Sequence, residues 1–250
     1  MLSKSGVKYI QSLHLKKFRD ADGVFIAEGV KIVPELLQAQ NMQCLQLLAT
    51  ESWLLAHNHW LQKTYHGAIT TVLPHEMEKI SALQTASPVL AVFKQPNVFT
   101  PVAKGKFILL LDDIQDPGNI GTILRTADWF GVHHLLCSPQ CADVYSPKVV
   151  QSTMGSIARV PVTYLPLVPW LQEQQSRLVW ATALEGENLF SMPTVTEAIL
   201  IIGNESRGIH PDLLHLATQR ITIPKIGHAE SLNAAVAAGI VLAQICRPAT

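Results

Sequence analysis

The chain has 250 residues, of which 48% are hydrophobic and 15% charged, and its 19 basic and 19 acidic side chains cancel. Such a composition buries one large core or two smaller ones and excludes a disordered chain. A formal charge of zero excludes nucleic-acid binding as a property of the whole surface, so any such role must rest on local patches.

The first nineteen residues, MLSKSGVKYIQSLHLKKFR, are basic and mildly amphipathic. A folded basic helix near 5–19 is preferred to a targeting segment, with Lys4, Lys8, Lys16, Lys17 and Arg19 as a cationic patch. FIAEG reads as a short strand and VKIVPELLQAQ as a helix, while CLQLLA, ITTVL and VLAVF supply further strands with helical pieces between them. Residues 1–94 therefore read as a small α/β domain. The following residues, to 106, mix proline, lysine and small side chains without an apolar period, so 95–106 reads as a linker.

From Phe107 the alternation resumes with FILLL, a helix from Ile120, HLLC, a helix around Lys148 to Met154, RVPVTY and a helix from Leu167. LVWATA, AILIIG and ITIP follow as strands, and SLNAAVAAGIVLAQICR closes the chain as a helix. Short apolar strands alternating with helices over 107–250 imply a mostly parallel sheet covered on both faces, with ligands expected where the loops gather at the carboxyl ends of the strands. The longest apolar runs are too short to cross a bilayer. Cys44, Cys137, Cys141 and Cys246 are too scattered for a disulfide framework, which suits a reducing compartment, the cytoplasm.

Three polar loops each follow an apolar strand: DPGNIGTILR at 116–125, GNESRGI at 203–209 and PKIGHAESLNAA at 224–235. The first is neither a dinucleotide fingerprint nor a phosphate-binding P-loop, because Ile120 and Thr122 stand where those motifs need other residues. Asn119 is positioned to cap the helix that Ile120, Ile123, Leu124 and Ala127 bury, which leaves Arg125 on the opposite face. Ser231 and Asn233, ahead of an alanine-rich helix, have a plainer alternative as helix-start residues, with Ser231 as the ordinary cap.

In order and spacing the three loops, with DVYSPKVVQSTMGS at 143–156 between the first two, resemble the signature motifs of the SpoU (TrmH) family of RNA ribose 2′-O-methyltransferases, part of the SPOUT superfamily. FIAEGVKIVPELL at 25–37 resembles the substrate-binding domain fused to many ribosomal-RNA members. The resemblance implies an α/β fold with a mostly parallel sheet, a deep carboxy-terminal trefoil knot that holds S-adenosylmethionine, a homodimer, and an RNA partner, with ribosomal RNA favoured over transfer RNA. It assigns Arg125, Glu205, Ser231 and Asn233 to the catalytic set. Thr182, Gly203, Asn204, Gly208, Ile223 and Leu232 fall at cofactor-contacting positions. Asn119 and Arg125 join Lys4, Lys8, Lys16, Lys17 and Arg19 as expected RNA contacts.

The chemistry is compatible with these residue types. Methyl transfer from a sulfonium to a hydroxyl needs collinear donor and acceptor and a route for the departing proton, and requires neither a metal nor a covalent intermediate. Arg125 suits a fixed cation for phosphate and developing oxyanion charge, whereas Glu205 has a plainer alternative as the ion-pair partner that orients Arg125. His133, His134, Cys137 and Cys141 lack zinc spacing. An open Rossmann methyltransferase would need a glycine fingerprint that is missing, and a non-catalytic RNA-binding relative would not need the complete polar set.

Overall fold

A computed structural model describes residues 2–97, 105–174 and 176–246. Residues 98–104 of the expected linker, and Arg247 at the end of the expected last helix, lie outside the described residues. The chain divides into two compact units, Met1–Asn97 with Asp143–Ala158, and Val98–Ala142 with Arg159–Thr250.

The first unit opens with α1 (Lys4–Ser12) and α2 (Lys16–Asp22) in place of one basic helix. The break falls where Ile10 and Leu13 are drawn into the core and Leu15 turns extended, with φ −98° and ψ 131°. The chain continues through β1 (Val24–Glu28), α3 (Ile32–Gln38), β2 (Cys44–Ala49), α4 (Glu51–Thr64), β3 (Ala68–Thr71), α5 (Pro74–Ile80) and β4 (Val89–Lys94). The sheet has the order β1-β4-β2-β3, with β4 antiparallel to both neighbours and β2 parallel to β3. Ile10, Leu13, Val24, Ile26, Met77 and Leu90 form part of its core. Glu28, at the end of β1, is 5% exposed and accepts hydrogen bonds from the Ser81 hydroxyl and the Ala82 and Ser87 amides. A buried carboxylate with three donors is satisfied, so it serves as a latch for the 81–87 loop.

The second unit begins with β5 (Ile108–Leu111), α6 (Pro117–Trp129) and β6 (His134–Cys137). The chain then leaves it: α7 (Pro147–Thr153) and its flanks group with the first unit although they lie within 107–250. Tyr145 packs on Phe25 with ring centroids 5.1 Å apart, and Asn41 donates to the Ala158 carbonyl at 2.8 Å. Arg19 donates to the Leu13 carbonyl at 2.8 Å and pairs with Asp143 at 2.5 Å while only 2% exposed. Arg19 therefore leaves the set of RNA contacts, because its charge is spent on this buried partner and cannot reach a phosphate.

On return the chain forms β7 (Val162–Tyr164), α8 (Leu167–Gln172), β8 (Val179–Asn188), β9 (Ile199–Ile202), α9 (Pro211–Leu216), β10 (Gln219–Thr222) and α10 (Ala234–Ile245). All pairs in the sheet, ordered β10-β8-β9-β5-β6-β7, are parallel. The central strands β5, β6 and β9 are buried along their whole length, as a sheet covered on both faces requires. α10 packs against α6. Among the described residues no helix is long and apolar enough to cross a membrane.

Candidate active site

The first loop of the second unit sets the geometry. Asp116, not Asn119, caps α6: its Oδ1 accepts from the Asn119 amide at 2.8 Å, and Pro117 takes the first helical position, where a missing N–H costs nothing. The expected apolar face, Ile120, Ile123, Leu124 and Ala127, is buried. Moving the cap back by three residues frees the Asn119 side chain. Its Nδ2 donates to Glu205, and its Oδ1 accepts from Asn233 Nδ2 at 2.8 Å. Asn119 thus joins all three loops by one amide.

Capping is likewise displaced at the third loop. Asn233, not Ser231, caps α10, accepting from the Ala235 amide at 3.0 Å and the Val236 amide at 3.3 Å. Ser231 is left exposed on the loop ahead of the helix. Glu205 is committed to Asn119, and Arg125 is exposed on α6 with no ion-pair partner among the described residues. The alternative in which Glu205 orients Arg125 by an ion pair is therefore corrected: the carboxylate is oriented by an amide, and the cation stands free.

A cleft of about 520 Å³ lies between the second and third loops. Thr182, Gly203, Asn204, Gly208, Ile223 and Leu232 all line it, as do Glu205 and Ser231, while Asn119, Arg125 and Asn233 are not in its wall. Gly203 and Gly208 lie back to back: a Cβ on Gly203 would stand 2.5 Å from the Gly208 carbonyl carbon, and Gly208 has φ +70°. Only glycine permits that approach, which exposes main chain to the cleft. Ile202, Ile221 and Ile223 supply apolar wall. The size, apolar lining and glycine cradle fit a nucleoside with a sulfonium-bearing tail.

Two features around the cleft escaped the sequence. Strand β8 runs on to Asn188, and residues 182–186 bulge out between its two stretches of pairing, because Arg220 faces Ala181 while the next residue, Ile221, faces Glu187. The bulge carries Thr182 and Leu184 into the cleft. Its only signal is Gly186, whose Cβ position lies 2.6 Å from the Arg220 carbonyl oxygen. The other feature is Asp113, with φ +56°, whose carbonyl accepts from Asn204 Nδ2 at 2.8 Å. Asp is among the few side chains that tolerate this backbone region, but one Asp-Asp pair after a strand is too common a signal to show it.

In the first unit Lys4, Lys8, Lys16 and Lys17 are exposed. Lys16 pairs with Asp20 at 2.7 Å, and Lys17 lies 4.8 Å from the Phe18 ring centre. His134 is buried, with Nε2 2.9 Å from the Thr163 hydroxyl, and Cys137 and Cys141 are buried free thiols.

A family model described as the SpoU rRNA Methylase family matches residues 106–243. The chain belongs to the SpoU rRNA methylase family. Residues 4–91 match the MRM3-like substrate binding domain. The 23S rRNA (guanosine(2553)-2′-O)-methyltransferase RlmP of Bacillus subtilis strain 168 is 30% identical over 239 residues, 94% of each chain. A solved structure from Porphyromonas gingivalis, assigned to the TrmH family of RNA methyltransferases, is similar at 38% identity with a TM-score of 0.87 over 98% of each chain. The SpoU methyltransferase AviRb of Streptomyces viridochromogenes, solved with the cofactor AdoMet, is 26% identical with a TM-score of 0.86, covering 98% of this chain and 97% of its own.

Proposed function

We propose that this SpoU-family protein transfers a methyl group from S-adenosylmethionine to a ribose 2′-hydroxyl of RNA, with ribosomal RNA as the substrate class. The observation that carries this is one cleft lined by the second and third loops, distant in sequence, with the first loop tied to both of them by the Glu205–Asn119–Asn233 hydrogen bonds. The relatives named above, one acting on 23S rRNA and one solved with AdoMet, support the substrate class and the cofactor.

When bound, S-adenosylmethionine supplies an electrophilic methyl group on a sulfonium. Gly203, Asn204 and Gly208 would hold it with main chain, and Thr182, Ile223 and Leu232 with the walls. Arg125 acts as a fixed cation that grips phosphate and stabilises negative charge as it develops on the 2′ oxygen. The proton leaves to water, a phosphate oxygen or Glu205, whose carboxylate Asn119 holds in place. Ser231 and Asn233 complete the polar set at the rim and at the start of α10.

The amino-terminal unit supplies RNA affinity through Lys4, Lys8, Lys16 and Lys17, supported by their exposure and by the substrate-binding match. The carboxy-terminal segment is knotted; the return of the chain from edge strand β10 to pack α10 on α6, the helix between β5 and β6, supports that path. Two copies associate through α6 and α10, where Trp129 is 84% and Val236 51% exposed. Light scattering at micromolar concentration is expected to give twice the 27.4 kDa of one chain, and an active monomer contradicts it. Four free cysteines suit a cytoplasmic setting.

The deciding experiment maps 2′-O-methylation across total RNA from cells with and without the protein. Loss of one ribosomal-RNA methyl group is the expected result. A lost transfer-RNA methyl group corrects the substrate class, and an unchanged map together with no cofactor binding overturns the activity.

A further inference from the structure

The Gly203–Gly208 loop that cradles the cleft is held from outside by residues with no place in the three motifs. Asp113 follows β5 in the left-handed region, and its backbone is locked there by a reciprocal pair: its amide donates to Ser138 Oγ at 2.9 Å, and the Ser138 hydroxyl donates to Asp113 Oδ1 at 2.8 Å. This turn directs the Asp113 carbonyl at Asn204 Nδ2, 2.8 Å away. The other end of the Asn204 amide, Oδ1, accepts from the Ser206 amide at 2.9 Å and the Arg207 amide at 3.1 Å, so the orientation of that amide shapes the loop. Asp113 Oδ2 takes the Arg207 guanidinium at 3.2 Å. The preceding Asp112 accepts from the His210 amide at 2.7 Å, securing the far end of the same segment.

We propose that Asp113 is a positioning residue that sets the shape of the 203–208 loop and thereby the affinity of the cleft for S-adenosylmethionine; this rests on the reading of the cleft given above. The Arg207 ion pair is the lesser part, because Arg207 is 63% exposed and solvent screens it. The greater part is the left-handed backbone, which aims the carbonyl, and the Ser138 bonds that keep it there.

Three variants separate these contributions. Asp113→Asn keeps a side chain that tolerates the left-handed region and an acceptor for Ser138, so cofactor Kd by calorimetry on the full chain is expected within about twofold of wild type. Asp113→Gly keeps the backbone and its amide bond to Ser138 but loses the carboxylate half of the lock, and Kd is expected to rise about fivefold, the scale of one hydrogen bond. Asp113→Val opposes the backbone and lacks the carboxylate half of the lock, and a rise of about tenfold or more is expected. In steady-state assays KM for the cofactor should follow Kd, with kcat changing by less. A purely structural role would lower the melting temperature and leave Kd of the folded protein unmoved, and that result, or wild-type Kd in both the Gly and Val variants, overturns the proposal. If the wild-type protein gives no binding heat with S-adenosylmethionine, the reading of the cleft falls and the proposal with it.

Discussion

Asn119 connects three loops because Asp116 relieves it of capping. The sequence held the clue in Pro117, since proline at the first helical position places the cap one residue earlier. The same physics hides Asn233, where a serine two residues before it looks equally able to cap. The candidate residues were thus legible from their motif context, while their bonds were not, because two amides and a carboxylate from three separated loops meet only in the fold. The free state of Arg125 leads to a direct test. Arg125→Lys keeps the charge and is expected to retain part of the single-turnover rate, whereas Arg125→Ala should lose roughly 10²-fold, the scale of one electrostatic stabiliser. Equal loss in both, with RNA and cofactor bound normally, would point to the planar fork or to a true base. His134 offers a second residue-scale test. Burial, assisted by His133, pulls its pKa down to about 4 from 6.5, so as the pH falls the unfolded chain takes up the proton first. Its contribution to stability is complete above about pH 6.5 and declines toward pH 4, amounting to about 2 kcal/mol lost between pH 7.5 and pH 5. Urea unfolding across that range should show His134→Gln losing stability less steeply than wild type; equal slopes would assign the pH dependence elsewhere.

Among the elements, apolar strands and the parallel order of the second sheet follow from alternation in the sequence, because fully buried strands must be apolar throughout. The two departures are non-local. Residues 182–186 bulge because β10 pairs on both sides of them, and LEGEN, mostly polar and exposed, carries no strand period to announce it. The helix at 147–153 was legible, but its partner was not: Val149 and Val150 are buried, and α7 packs on β1. Asp143–Ala158 therefore completes the core of a unit whose other residues end at Asn97. A fragment of residues 1–97 is expected to bind a hydrophobic dye and to melt without a cooperative transition, and a synthetic 143–158 peptide should restore the transition. A fragment that melts cooperatively and ignores the peptide would make the segment dispensable. Excising 1–94 from the whole protein, by the same reasoning, uncovers Val149, Val150 and Ile157 and is a poorer test of domain roles than surface substitution.

For the whole molecule, surface substitution addresses RNA affinity directly. Lys16→Glu with Lys17→Glu leaves the buried Arg19–Asp143 pair intact and removes two exposed cations. RNA binding should weaken, and the slope of log affinity against log salt should flatten by roughly one to two counterions. An unchanged slope would place the RNA surface elsewhere. The neutral overall charge had left local patches such as this one as candidates, and burial then removed Arg19 from it. The excursion of Asp143–Ala158 also bears on synthesis. A ribosome releases the first 97 residues well before the piece that finishes their core, which follows about sixty residues later. At common elongation rates that is a delay of roughly 3–12 s. For that interval the nascent chain carries an open apolar face, so trigger-type chaperones that shield emerging polypeptides have a defined window in which to act, and a slow-codon stretch between positions 98 and 142 would lengthen the exposure and lower the yield of native protein.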